Sequence, residues 1–248
     1  MKVKEVLSGI VIVAVIFAVV FGVYSGAKKK SHRDLAKRIA ELSPRGGLPE
    51  TIEGLSTAIA LYEDQIALNL KEGVQTASYW KILASRYIDK KLYNEALKAL
   101  ERAVYYNNED PTLFYLTGLS AGVVAKSSLD FPGAEENVRT RYFTLAEQAY
   151  LRSIELDPDY PRPLYGLGIL YSFELGRPLE ALPHLEHYAE LLPRDMGALF
   201  ALARVYYQTG NNERALEIYD RIVREARDQN QKAEARKNRE FILEMNNG

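Results

Sequence analysis

Glu180, His184 and His187 are the residues of this chain whose types and spacing come closest to chemistry. They stand four and three positions apart, so a helix carries all three on one face. Two imidazoles and a carboxylate can ligate zinc. A working site also needs matched ligands and partners that orient them. No fourth ligand is evident: the third histidine is the remote His32, and the chain has no cysteine. The pair also follows directly on Pro183 on a surface helix. The expectation is a solvated helix face with no metal.

Other chemistry is excluded more simply. Without cysteine there are no disulfides and no thiol nucleophile. No G-x-x-x-x-G-K-[ST] phosphate loop occurs. The run GLGILY, with Gly166 and Gly168, follows no strand and reads as helix packing rather than a dinucleotide fingerprint. Carboxylates alternate with Lys and Arg, as on exposed helices. The formal net charge of −1 offers no basic stripe for nucleic acid. A non-enzymatic chain without a cofactor is expected, and its function then rests on surfaces.

The elements that shape those surfaces are helical. Residues 1–30 hold a tail and Val6–Tyr24, an uncharged apolar run. At ~1.5 Å per residue it reaches about 28 Å, close to a bilayer core. It reads as a single transmembrane helix, a signal-anchor, with Tyr24 and Lys28–Lys30 at the interface. Ser25 and Ala27 leave a cleaved signal peptide as the rival. The basic residues after the run favour a cytoplasmic repeat domain. The short tail with Lys2 and Lys4 resembles an export signal and favours the opposite side of the cell membrane. The extracytoplasmic side is the expectation, with the other orientation open.

Residues 31–76 read as membrane-proximal helices. Leu35, Ile39 and Leu42 share one face, and Pro44–Pro49 breaks the helix. Leu55, Ile59, Tyr62, Ile66 and Leu70 then form a second apolar stripe, expected to end at Gly73.

From residue 77 a pattern returns with a period near 34. A first helix carries a small residue (Ala84, Gly118, Gly168, Ala203), and a second carries another (Ala96, Ala146, Ala181, Ala215). Two antiparallel helices can approach closely there, with large apolar residues filling the space around them. Asn94 is a plausible cap, and Pro158 and Pro193 stop second helices. The units run 77–110, 111–160, 161–195 and 196–229. The second holds about 16 extra residues against that period, near AKSSLDFPGAEENVRTR, with Pro132 and Gly133 at a turn. Residues 230–248 read as a charged capping helix, with Phe241, Ile242 and Met245 covering the last unit.

The repeated hairpin resembles the tetratricopeptide repeat family over residues 77–229, and loosely over 32–76. That resemblance implies an all-α, right-handed superhelical stack, here preceded by the transmembrane helix. It also implies that the first helix of each unit lines a groove. Carried onto this sequence, the groove positions are Lys81, Ser85, Asp89, Tyr115, Leu119, Arg162, Tyr165, Ile169, Phe173, Phe200, Arg204 and Tyr207. Family members that bind chaperones clamp a C-terminal carboxylate with lysine, asparagine and arginine. Ser85 and Leu116 stand where asparagine should, so that ligand is not expected. Tyr and Arg tend to dominate binding energy. The expected role is a membrane-anchored scaffold that binds peptide segments of partner proteins. The alternative is a carrier holding a small apolar ligand in the groove.

Overall fold

In the computed structural model, residues 33–38, 40–42, 52–128 and 136–247 are described. The apolar run 6–24, the break at 44–49 and the Pro132–Gly133 turn lie outside them. Among the described residues no helix is long and apolar enough to cross a membrane. The chain divides into two compact units, residues 1–72 and 73–248.

In the first unit, residues 33–38 and 40–41 are helical. Helix α1, Ile52–Asp89, begins there and runs on into the second unit. Gly73 therefore does not end a helix. A glycine inside a helix costs only about 1 kcal/mol, and here neither a proline nor a turn residue follows to add to it. Within the first unit the buried positions of α1 are Gly54, Ala58 and Leu61. The larger stripe one position on, Leu55 to Leu70, is exposed.

The second unit is a solenoid of helical hairpins. After α1 come α2 (Tyr93–Tyr106), α3 (Pro111–Ser127), α4 (Glu136–Leu156) and α5 (Pro161–Ile169). Then follow α6 (Pro178–Leu191), α7 (Met196–Gln208), α8 (Asn212–Glu225) and α9 (Gln229–Asn247). From α2 onward each helix packs on the next, and α3 also touches α5 as α7 touches α9. The inner helices are thus α3, α5 and α7, and the outer ones are α2, α4, α6 and α8.

Prolines open several helices. Pro111, Pro161 and Pro178 each sit in a first turn, where a missing N–H costs nothing. The turns between inner and outer helices need a left-handed residue. Gly176 (φ 64°) and Gly210 (φ 79°) supply it in two hairpins, and Lys91 (φ 58°) in the first. That turn starts α2 at Tyr93, with Leu92 at the cap position, so Asn94 lies inside the helix and caps nothing. Asn211, beside Gly210, does cap: its side chain accepts from the Arg214 N–H.

The small-residue positions close the hairpins, though not by small against small. A side chain at Gly118 would meet the Tyr150 ring at 2.6 Å, and one at Gly168 would meet Leu185 at 2.5 Å. A large outer-helix residue thus fills the space each glycine leaves, with Ala146 and Ala181 buried alongside. Ser153 is buried and donates to the Pro111 carbonyl at 2.7 Å, tying α4 to the start of α3. The extra residues of this hairpin lengthen its helices: α3 has 17 residues and α4 has 21, against 14 each in α2, α6 and α8.

At the C-terminal end α9 covers α8 with Ala235 and Ile242, seven residues apart and both buried. Phe241 meets the Tyr207 ring of the last unit edge-on at 5.9 Å but stays half exposed, and Met245, expected to cover that unit, is exposed. They fall off the stripe Gln231, Ala235, Asn238 and Ile242, whose spacing of four and three faces the solenoid.

Candidate functional site

The inner helices bring most of the groove positions into two adjoining clefts. The first, of about 340 Å³, lies between α3 and α5. Tyr115, Leu119, Arg162, Tyr165 and Ile169 line it, over a floor of Phe143, Tyr150 and Leu170. The second, of about 400 Å³, lies between the inner end of the third hairpin, α7 and α9. Phe173, Phe200, Arg204 and Tyr207 line it, with Tyr219, Asn238 and Phe241.

Ring contacts across hairpins fix these walls. Tyr115 meets the Tyr160 ring edge-on at 5.6 Å and lies 6.4 Å from Tyr150. Tyr150 also sits against Gly166 of α5, so one ring wedges two inner helices. Burial pushes its phenol pKa well up, and Tyr115 adds to the effect. Tyr165 packs on Tyr188 at 5.1 Å. The Tyr188 hydroxyl donates to Asp195 at 2.7 Å, and burial with that bond raises its pKa to about 12. Asp195 in turn accepts from the Ala198 N–H and caps α7. The cap, the tyrosine pair and the cleft wall are therefore one assembly.

A wide, π-helical turn, Leu170–Glu174, follows α5. The Leu175 N–H bonds back to the Leu170 carbonyl at 3.0 Å, one residue further than in an α-helix. This turn lets successive residues serve different clefts: Phe173 the second and Glu174 the first. Glu174 accepts from Lys126 at 2.7 Å, with Arg139 at 4.0 Å, and closes one end of the first cleft. Arg162 lies toward the other end, its guanidinium 5.8 Å from the Tyr115 ring centre. Arg204 stands 4.8 Å from the centre of Phe173.

Lys81, Ser85 and Asp89 line neither cleft. Lys81 pairs with Asp110 at 2.7 Å, while Asp110 caps α3 by accepting from the Thr112 N–H at 2.9 Å. Burial raises the Asp110 carboxyl pKa, but Lys81 and Thr112 outweigh it and hold it below the usual value. The Ser85 hydroxyl donates to the Lys81 carbonyl within its own helix. Asp89 is exposed and pairs with Arg86 at 3.6 Å.

The residues with metal-ligand spacing are turned to separate partners. Glu180 pairs with Arg177, which holds its carboxyl low. The His184 ring lies 5.8 Å from Tyr171, and burial, then His187, depress its pKa. His187 is 3.1 Å from Asp159. Among the described residues no group of three His, Cys, Asp or Glu side chains could hold a metal ion.

A third, larger cleft of about 960 Å³ lies on the outer side. It is formed by α2 (Asn94 to Val104), α4 (Tyr142 to Arg152) and Phe114 and Thr117 of α3. No motif or spacing points to it. Leu97, Val104 and Leu145 lie on outer helices, and the space between α2 and α4 that opens them is a tertiary feature.

Comparison with known proteins finds similar repeats and similar folds. Residues 172–237 and 149–182 each match a tetratricopeptide repeat model. A TPR repeat-containing protein of Borreliella burgdorferi is 22% identical over 208 residues, spanning 84% of this chain and 88% of its own length. Among solved structures, MamA of Desulfovibrio magneticus RS-1 superposes with a TM-score of 0.53 at 16% identity, over 69% of this chain and 96% of its own. YrrB, described as a TPR protein with an unusual peptide-binding site, superposes with a TM-score of 0.51 at 23% identity, over 82% and 97%. Residues 149–237 are thus similar to tetratricopeptide repeats, and the relative's name agrees with that likeness.

Proposed function

We propose that this chain is a tetratricopeptide-repeat scaffold whose inner face holds a peptide segment of a partner protein, and that residues 6–24 tether it to the cell membrane. The observation that carries the reading is the pair of adjoining inner clefts, walled by Tyr115, Tyr165, Phe173, Phe200 and Tyr207. Open, aromatic-walled surface of this kind marks contact sites, and an extended segment suits a row of small clefts better than one deep pocket does. The solved relative YrrB carries a peptide-binding site by its description.

The tether rests on the uncharged run Val6–Tyr24. Anchoring would confine scaffold and partner to one surface and raise their effective concentration, so modest groove contacts would suffice. The repeats are assigned to the extracytoplasmic side, on the export-like residues Lys2 and Lys4.

The test is capture from a membrane extract with the full chain as bait. Tyr165→Ala combined with Phe200→Ala should abolish capture of specific partners. Unchanged capture would refute the groove. A reporter fused after Gly248 that is active only outside the cytoplasm tests the orientation. The size of the first cleft also admits a small apolar ligand, since such pockets start near ~300 Å³. Native mass spectrometry separates this alternative by the added mass of a bound molecule.

A further inference from the structure

The charged residues of the inner face narrow the chemistry of its partner, on the reading that this face binds peptide. Several arginines of the outer helices and of α9 are paired within the chain: Arg152 with Glu155, Arg214 with Glu217, Arg221 with Glu225 and Arg239 with Asp220. Arg162 and Arg204 are unpaired, and unlike the unpaired arginines Arg102, Arg141, Arg224 and Arg236 they line the inner clefts. Both are exposed, both lie by an aromatic ring of the neighbouring inner segment, and neither enters an ion pair among the described residues. The acids around them are committed or out of reach. Glu174 is taken by Lys126 and Arg139, Asp195 by Tyr188 and the α7 cap, and Glu234 borders the second cleft without pairing with Arg204.

A guanidinium parked on a ring is already oriented and partly stripped of water. Its planar fork keeps N–H groups for a carboxylate, although Arg162 also faces the Tyr160 hydroxyl. The same device occurs at each cleft, one hairpin apart. We infer that the inner face selects an extended acidic segment, in which one carboxylate meets Arg162, a second meets Arg204, and apolar side chains between them enter the clefts. Arg162 stands in the first turn of α5 and Arg204 in the third turn of α7. Seven positions of helical rise and one inter-helix spacing put them roughly 14 Å apart, about four to five residues of extended chain.

The experiment is selection of random displayed peptides on the full chain, kept in a mild detergent on account of the run 6–24. Selected peptides should carry two Asp or Glu residues four or five positions apart, with apolar or aromatic residues between. A synthetic copy with Asn and Gln in their place should bind about tenfold more weakly or worse. That difference should shrink as salt rises. Arg162→Gln and Arg204→Gln should each remove most of it, and Arg152→Gln on the outer side should leave it intact. Arg162→Glu should shift selection toward a basic residue at that position, a gain that misfolding cannot imitate.

Selection of neutral or basic peptides, no selection at all, or equal binding of the amide copy would overturn the inference. Neutral peptides that lose binding on Tyr165→Ala with Phe200→Ala would overturn it while leaving the groove in place. Peptides insensitive to those two changes would count against the groove as well.

Discussion

The outer cleft exceeds the two inner clefts in volume, about 960 Å³ against about 340 and 400 Å³, yet the inner ones have the character of a binding surface. The difference lies in how the walls are held. Inner walls are rings fixed by other rings and by caps: Tyr115 against Tyr160, and Tyr165 against Tyr188, whose hydroxyl bonds the α7 cap. The outer cleft is a gap between α2 and α4, which barely touch. One of its walls carries Glu95, Lys98 and Glu101 in alternation, which is what an exposed helix face presents to water. In a solenoid, volume measures how far neighbouring hairpins splay. Pre-organised aromatic walls and unneutralised charge are better signs of use.

Four changes press on this contrast. The largest effect should come from filling the glycine that lets Tyr150 wedge the inner helices. Gly118→Leu would drive a side chain into that ring, and overpacking of this kind costs about 3 kcal/mol or more. Thermal unfolding should show a midpoint roughly 6–12 °C lower. An unshifted midpoint would mean that the inner wall is softer than described.

Asp110→Ala comes next. It removes the α3 cap and strands Lys81, at a cost of about 1–2 kcal/mol by chemical denaturation. Because the Asp110 pKa is lowered in the fold, its contribution is present above its ordinary value near 3.8 and fades as pH falls below it. Partner capture should be untouched, since Lys81 lines neither cleft. Lost capture in a folded variant would return Lys81 to the groove.

His184 gives a milder effect with its own pH window. Its folded pKa is depressed, so its contribution is full above the ordinary histidine value, near ~6.5, and is lost as pH falls. Stability should decline as pH falls below about 7, and His184→Gln should flatten that slope. An unchanged slope would contradict the burial of the ring against Tyr171. Smallest of all, Leu145→Glu on the outer cleft should change stability by within about 0.5 kcal/mol, as exposed positions do. It should also leave capture unaltered.

The repeat was legible because its signal is recurrent. Gly118 and Gly168 mark where two helices meet, whichever side chain fills the gap. What filled it, Tyr150 and Leu185, was not legible, since a small residue implies a close neighbour without naming it. Gly73 misled as a helix end because one glycine is too weak a breaker to decide against its flanks. Lys81 presents a different case. It holds an inner register position, but Asp110 at the next inner helix claims its charge, and only the fold brings the two to 2.7 Å. The inner aromatics came within reach because register alone puts them on one face. The outer cleft did not, because the separation of α2 and α4 is a tertiary quantity.

The most direct measurement is the affinity of one captured partner segment for three forms of the full chain, each checked for cooperative unfolding well above the assay temperature. These are the unaltered chain, the inner variant Tyr165→Ala with Phe200→Ala, and the outer variant Leu145→Glu. Two buried aromatic anchors are worth about 2 kcal/mol each, so the inner variant should bind at least a hundredfold more weakly. The outer variant should match the unaltered chain. A partner that ignores the inner change and is lost with the outer one would contradict the account at its centre.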